Sequence, residues 1–139
     1  MVKHDRIYGG MIVMQLKMRV ALLVFTLLIA MCMPVFAAWN IYGDSGLHIY
    51  QSNGQYYIYF NGYTGADTDP DYISVMVDIY DPDGYYFDQI YETDTDNYVW
   101  GETQSYLWFS GEKYTGLGTH IAKIYHWYGD DVKRVYSSF

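Results

Sequence analysis

Four aliphatic residues at every second position, Ile73, Val75, Val77 and Ile79, constrain this chain more than any other feature. Tyr72, Ser74, Met76, Asp78 and Tyr80 alternate with them. A period of two places the aliphatic set on one side of an extended backbone. Residues 72–80 therefore predict a strand with one face on a core. The run ends at Asp81-Pro82-Asp83-Gly84, where Pro presets φ and Gly supplies a positive φ. Tyr85–Glu92 is then the returning strand of a hairpin.

Other segments follow the same scheme. Leu47–Gln51 predicts a short strand. Asn53-Gly54, a favoured hairpin pair, leads into Gln55–Tyr63, with Tyr56, Ile58 and Phe60 on one face. Thr64–Asp71 reads as a polar loop and Asp94–Asn97 as a turn. Tyr98–Ser110 predicts one bent strand, or two broken at Gly101, with Leu107 and Phe109 facing in. Gly111–Gly118 reads as a loop, and Thr119–Tyr128 as a strand with Ala122 and Ile124 facing in. Gly129-Asp130-Asp131 turns into a last strand, Val132–Ser137. About seven short strands with regular turn signals predict an all-β, antiparallel two-sheet sandwich, with a small closed barrel as the alternative. The pattern over residues 44–137 resembles an immunoglobulin-like or fibronectin-III-like domain.

The segment ahead of this domain has a different character. Lys17 and Arg19 precede an apolar run from Val20 to Ala30, followed by Pro34 and then by Val35 and Ala37 at the −3 and −1 positions of a cleavage site. This is the layout of a secretory signal helix cut between Ala37 and Ala38. The expected organisation is an N-terminal extension plus signal over 1–37 and one domain over 38–139. Translation from Met1, Met14 or Met18 gives the same exported product. The alternative is an uncleaved anchor, since the stretch from Val20 to Ala38 is 19 residues long and mostly apolar. Met31 before Cys32 disfavours lipidation there, which needs a small residue at that position.

Removal of residues 1–37 leaves 4 basic and 15 acidic residues, a charge of −11, and no cysteine. That balance excludes a basic face for nucleic acid. It also argues against a membrane-active peptide, which would be cationic. Contact with a membrane is expected only in transit, through the signal. The fold must do without disulfides.

The exported part also holds 17 Tyr, 4 Trp and 4 Phe. If Ile58 and Phe60 face in, Tyr57 and Tyr59 face out. If Leu107, Phe109 and Ile124 face in, Trp108 and Trp127 face out. Tyr57, Tyr59, Trp108 and Trp127 would then form an aromatic platform. Such faces stack on sugar rings or anchor protein interfaces. The alternative is that they pair across strands and stabilise the sheet.

The acids Asp67, Asp69 and Asp71 alternate in a loop ahead of Asp78, as the first ligands of a calcium loop do. The position that an EF-hand gives to Gly is Tyr72, and Asp also favours turns by bonding its own backbone. No cofactor other than this calcium ion is expected. Catalysis has no positioned constellation to support it. No nucleophile elbow occurs, and His120 and His126, six apart on one strand, would stand roughly 20 Å apart. The sequence thus predicts a small, exported, non-enzymatic binding module with a protein or glycan partner at the cell surface. A carbohydrate-binding module using the aromatic face is the alternative, and a small hydrolase the second.

Export should leave a product that begins at Ala38. Intact-mass measurement and N-terminal sequencing of secreted protein test this, and Ala37→Arg should leave the apolar segment attached.

Overall fold

The computed structural model describes residues 17–26 and 38–139. The chain divides into two compact units, Met1–Ala38 and Trp39–Phe139. In the first, residues 17–26 form a helix with exposed side chains. Its Leu, Met, Ala, Lys and Arg content is that of good helix formers, and the Thr26 hydroxyl donates to the Leu22 carbonyl at 2.6 Å. Among the described residues no helix is long and apolar enough to cross a membrane. The cleavage motif at Val35–Ala37 lies outside the described residues.

The second unit is an all-β sandwich of two antiparallel sheets. Its strands are β1 (Ile41–Ser52), β2 (Gln55–Ala66), β3 (Tyr72–Tyr80), β4 (Tyr86–Asp94), β5 (Tyr98–Glu102), β6 (Tyr106–Leu107), β7 (Thr115–Ile124) and β8 (Asp131–Ser138). One sheet, called A here, has the order β1-β2-β5, with β6 also pairing β2; sheet B has the order β4-β3-β7-β8. Among the described residues the strand count is eight rather than seven, because residues 98–110 yield two strands. The break lies at Thr103–Ser105, not at Gly101, and the Thr103 N–H crosses to the Phe60 carbonyl at 2.9 Å.

The strands at 72–80 and 86–94 pair through the Asp81–Gly84 turn, with a bulge after Ile79. The Asp81 carboxylate accepts the N–H groups of Asp83 and Tyr85, so this acid supports the turn. Asn53 and Gly54 both have positive φ, 51° and 79°, as the tight hairpin turn between β1 and β2 requires. β1 is much longer than Leu47–Gln51. It runs back to Ile41 through Gly43, Asp44 and Gly46, which are poor strand formers taken into the sheet by pairing with β2. Thr64, Gly65 and Ala66 likewise finish β2 instead of opening a loop, and Thr115–Gly118 open β7.

Ile73, Val75, Val77 and Ile79 are all completely buried, together with Ile58, Phe60 and Ala122. Phe60 packs against Phe87, Tyr114 and Phe139, the last in a stacked pair 5.7 Å apart. Trp39 closes the opposite end of sheet B, donating its indole N–H to Asp131 at 2.5 Å.

Between these ends the sheets meet through residues with almost no side chain. Ser45, Gly62 and Gly101 form one row across sheet A. Ser137, Gly118, Val77 and Ile90 form one row across sheet B. The two rows lie in contact. A Cβ on Gly62 would stand 2.6 Å from Val77 Cγ2, and one on Gly101 would stand 2.7 Å from Ile90 Cγ2. Valine and isoleucine are stiff at χ1 and cannot swing aside. Gly62→Ala should therefore cost about 1–3 kcal/mol of stability by overpacking. Urea unfolding of the variant measures it; a cost near zero would show that the sheets can separate freely.

Candidate functional site

Strand alternation sends every second residue of sheet A away from the core. On β1 these are Tyr42, Asp44, Gly46, His48 and Tyr50. On β2 they are Tyr57, Tyr59, Asn61, Tyr63 and Gly65, and β5 adds Tyr98, Trp100 and Glu102. The result is an open aromatic face with a few polar groups. The four strands of sheet A carry no Lys or Arg, and their only acids are Asp44 and Glu102.

The rings are ordered by cross-strand pairing. His48 stacks on Tyr59 at 4.9 Å, and Tyr50 stacks on Tyr57 at 5.5 Å. Tyr50 also meets Tyr59 edge-on. Towards the other end, Tyr63 stacks on Tyr98 at 5.9 Å and meets the Tyr42 ring edge-on. The Tyr42 ring covers Gly65, where a Cβ would fall 2.3 Å from its Cζ.

Between the two aromatic groups lies the row Gly46–Asn61, paired across β1 and β2. Gly46 carries no side chain, so the row forms a slot. Asp44, Ser45, Gly46, His48, Asn61 and Tyr63 line a cavity of about 290 Å³ there. The Asp44 carboxylate uses Oδ1 to accept the Ser45 N–H at 2.9 Å. The side chains of Asn61 and His48 make no hydrogen bond within the described residues. The slot therefore offers hydrogen-bonding groups at its base and aromatic rings at its sides.

Tyr57 and Tyr59 do stand on the outer face of sheet A. Trp108 does not join them. Tyr106 and Trp108 are partly buried against the core while Leu107 and Phe109 are exposed, the reverse of the expected register. The Tyr106 hydroxyl donates to Asp88, and Trp108 packs edge-on against Tyr56 while donating to the Glu112 carbonyl. Trp127 is also elsewhere. β7 stops at Ile124, so Tyr125, His126 and Trp127 belong to the turn leading to β8, and Trp127 is 96% exposed. His120 and His126 are accordingly not on one strand.

The acidic loop serves the fold. Asp67 accepts the Asn40 N–H at 2.8 Å and its side-chain amide at 3.3 Å. Asp71 accepts the Tyr125 N–H at 2.7 Å, whereas Asp69 points to solvent. Among the described residues no three His, Cys, Asp or Glu side chains are grouped to share a metal ion.

Beneath the slot runs a largely buried polar chain that no sequence motif marks. The Thr64 hydroxyl donates to the Ser74 carbonyl at 2.9 Å, so it accepts at its oxygen from His120 Nδ1–H, also at 2.9 Å. His120 Nε2 is then an acceptor for the Ser137 hydroxyl at 2.7 Å, and Ser137 in turn accepts from Ser45 at 2.7 Å. Gly43 makes room, since a Cβ there would fall 2.3 Å from the His120 ring. Ser137 and His120 have the spacing of a nucleophile and its base. His120 is nevertheless completely buried, Ser137 is partly buried with Ser45 as its neighbour, and the imidazole is oriented by the Thr64 hydroxyl where a triad has a carboxylate.

No family model matches the chain, and no curated protein matches it. Among solved structures it is similar to the X-ray structure of Northeast Structural Genomics Consortium target SoR45, at 8% identity and a TM-score of 0.33, over 73% of this chain and 83% of that one.

Burial holds the His120 pKa below its ordinary value of 6.5, against the opposing pull of the Asp44 charge and the Tyr63 backbone. The neutral form is the one the fold favours. Its contribution to stability is fully present above about pH 6.5 and is lost as pH falls through the lowered folded value. Thermal unfolding across pH 4–8 should show this slope, and His120→Gln should flatten it. Thr64→Val, which strips a partner from both Ser74 and His120, should cost roughly 1–3 kcal/mol.

Proposed function

We propose that residues 38–139 are a small, exported, non-catalytic binding module, and that its ligand is carbohydrate taken on the outer face of sheet A. The observation that carries this reading is the polar slot at Gly46 and Asn61, set between two groups of stacked tyrosines. Sugar rings have apolar C–H faces and a rim of hydroxyls. Aromatic rings suit the first, and Asp and Asn side chains suit the second. A face meant only to stabilise its sheet has no need of a gap with free hydrogen-bonding groups in its middle. A protein anchor site would place its largest aromatic at the centre of the patch, and here the centre is a glycine.

We also read the sandwich as immunoglobulin-like or fibronectin-III-like. The support is strand order: β1-β2-β5 facing β4-β3-β7-β8 corresponds to A-B-E facing C′-C-F-G in that architecture. In this reading the signal over 1–37 brings the module to the cell surface or the medium.

The full-length protein, incubated with insoluble polysaccharides and whole cell walls beside an inert protein of similar charge, should be retained on at least one. Soluble sugar should compete it away, and Tyr59→Ala and Trp100→Ala should weaken retention without loss of fold by circular dichroism. Retention that only protein-containing walls support, and that sugar does not compete, would replace the glycan with a protein partner.

A further inference from the structure

Resting on the carbohydrate reading, we propose that the Gly46 slot is a subsite for a single uncharged sugar ring, held edge-on, and that it selects neutral glycans over acidic ones. The slot is small. At about 290 Å³ it lies at the lower limit of ligand pockets, which suits one ring and not an extended group. Its sides are aromatic on both flanks: Tyr63 stacked on Tyr98, and His48 stacked on Tyr59. A sugar ring entering between them would be bordered by an aromatic pair on each side. Its leading edge would meet Asp44, Asn61 and His48.

Glycine at position 46 keeps the slot open, and the backbone does not demand it there. Position 46 lies outside the positive-φ glycines. A Cβ would stand 3.2 Å from Asn61 Oδ1 and 3.7 Å from His48 Nε2, in the space that the ligand edge would occupy. A larger residue at 46 can therefore be housed by the fold, but only by filling the slot. This distinguishes Gly46 from Gly62 and Gly101, whose missing side chains serve sheet packing.

Charge supplies the selectivity. Asp44 lines the slot, Glu102 lies opposite Asn61 on the next strand, and the strands of sheet A contribute no cation. One oxygen of Asp44 is engaged by the Ser45 N–H, leaving the other to accept from a sugar hydroxyl. A uronate or sulfate group entering here would lose water beside a like charge with no partner in return.

Affinity electrophoresis of the full-length protein separates the outcomes. The probes are neutral polymers (cellulose, xylan, mannan, a β-1,3-glucan) and acidic ones (polygalacturonate, alginate, a sulfated galactan). The expected result is retardation by at least one neutral polymer and by none of the acidic ones. Gly46→Val and Asn61→Ala should each weaken that retardation by about tenfold or more, with melting temperatures close to that of the parent. Retardation by a neutral polymer that both variants retain would overturn the slot while leaving the carbohydrate reading intact. Equal retardation by acidic polymers would overturn the selectivity. No retardation by any polymer, in a protein whose fold is verified, would remove the carbohydrate reading and this inference together.

Discussion

The close contact between the two sheets governs the rest of this structure. Ser45, Gly62 and Gly101 on sheet A meet Ser137, Gly118, Val77 and Ile90 on sheet B with no room for another carbon at Gly62 or Gly101. Interiors are packed like crystals, so a gap or an excess of one methyl group is felt by its neighbours. The centre of the sandwich therefore takes small or aliphatic residues, and the one ring there, His120, fits only because Gly43 and Gly118 leave room for it. Large rings are admitted at the ends, where Phe60, Phe87, Tyr114 and Phe139 cluster on one side and Trp39 closes the other.

A thin core has a consequence for a chain so rich in tyrosine. Most of its rings must lie on outer faces. On sheet A they pair across β1, β2 and β5, and each such pair adds roughly 0.2–1 kcal/mol, useful to a domain without disulfides. Stacking of this kind would be complete if every row carried a ring. The row of Gly46 and Asn61 does not, and the interruption turns a stabilising ladder into a surface with a recess.

The strand that forms the floor of the recess is held from below. Ser45 lies between Asp44 and Gly46, and its hydroxyl ends the chain that passes through Ser137, His120 and Thr64 to the Ser74 carbonyl. Each hydroxyl in that chain has its proton assigned by the next, which fixes a single neutral tautomer of His120. Fully satisfied buried networks add rigidity, whereas a broken one leaves costly unpaired groups. The slot is thus a feature of two paired strands, with Gly46 on the edge strand β1 and Asn61 on β2, and its shape does not depend on a loop.

Alternation and turn chemistry were legible in the sequence. Ile73, Val75, Val77 and Ile79 set the central strand, and Asn53-Gly54 and Asp81–Gly84 set two hairpins, because each depends on the residue's own side chain or φ. At Tyr106–Phe109 both alternating sets are large and apolar, so period two could not say which faces in, and a slip of one residue exchanges the faces. The Asp88 carboxylate and the Tyr56 ring, distant in sequence, decided it. Trp127 was misplaced because β7 ends earlier than its apolar residues suggest. The slot itself was within reach: the two-residue turn pairs Ser52 with Gln55, and that register continues to Gly46–Asn61 and Asp44–Tyr63. What hid it was the glycine and aspartate content of 43–46, which argues against a strand when read locally. The sequence by itself determined an antiparallel sandwich with an aromatic exterior. Only tertiary structure drew 41–46 into sheet A, because β2 supplied hydrogen bonds and His120 and Ser137 supplied contacts that no local propensity contains.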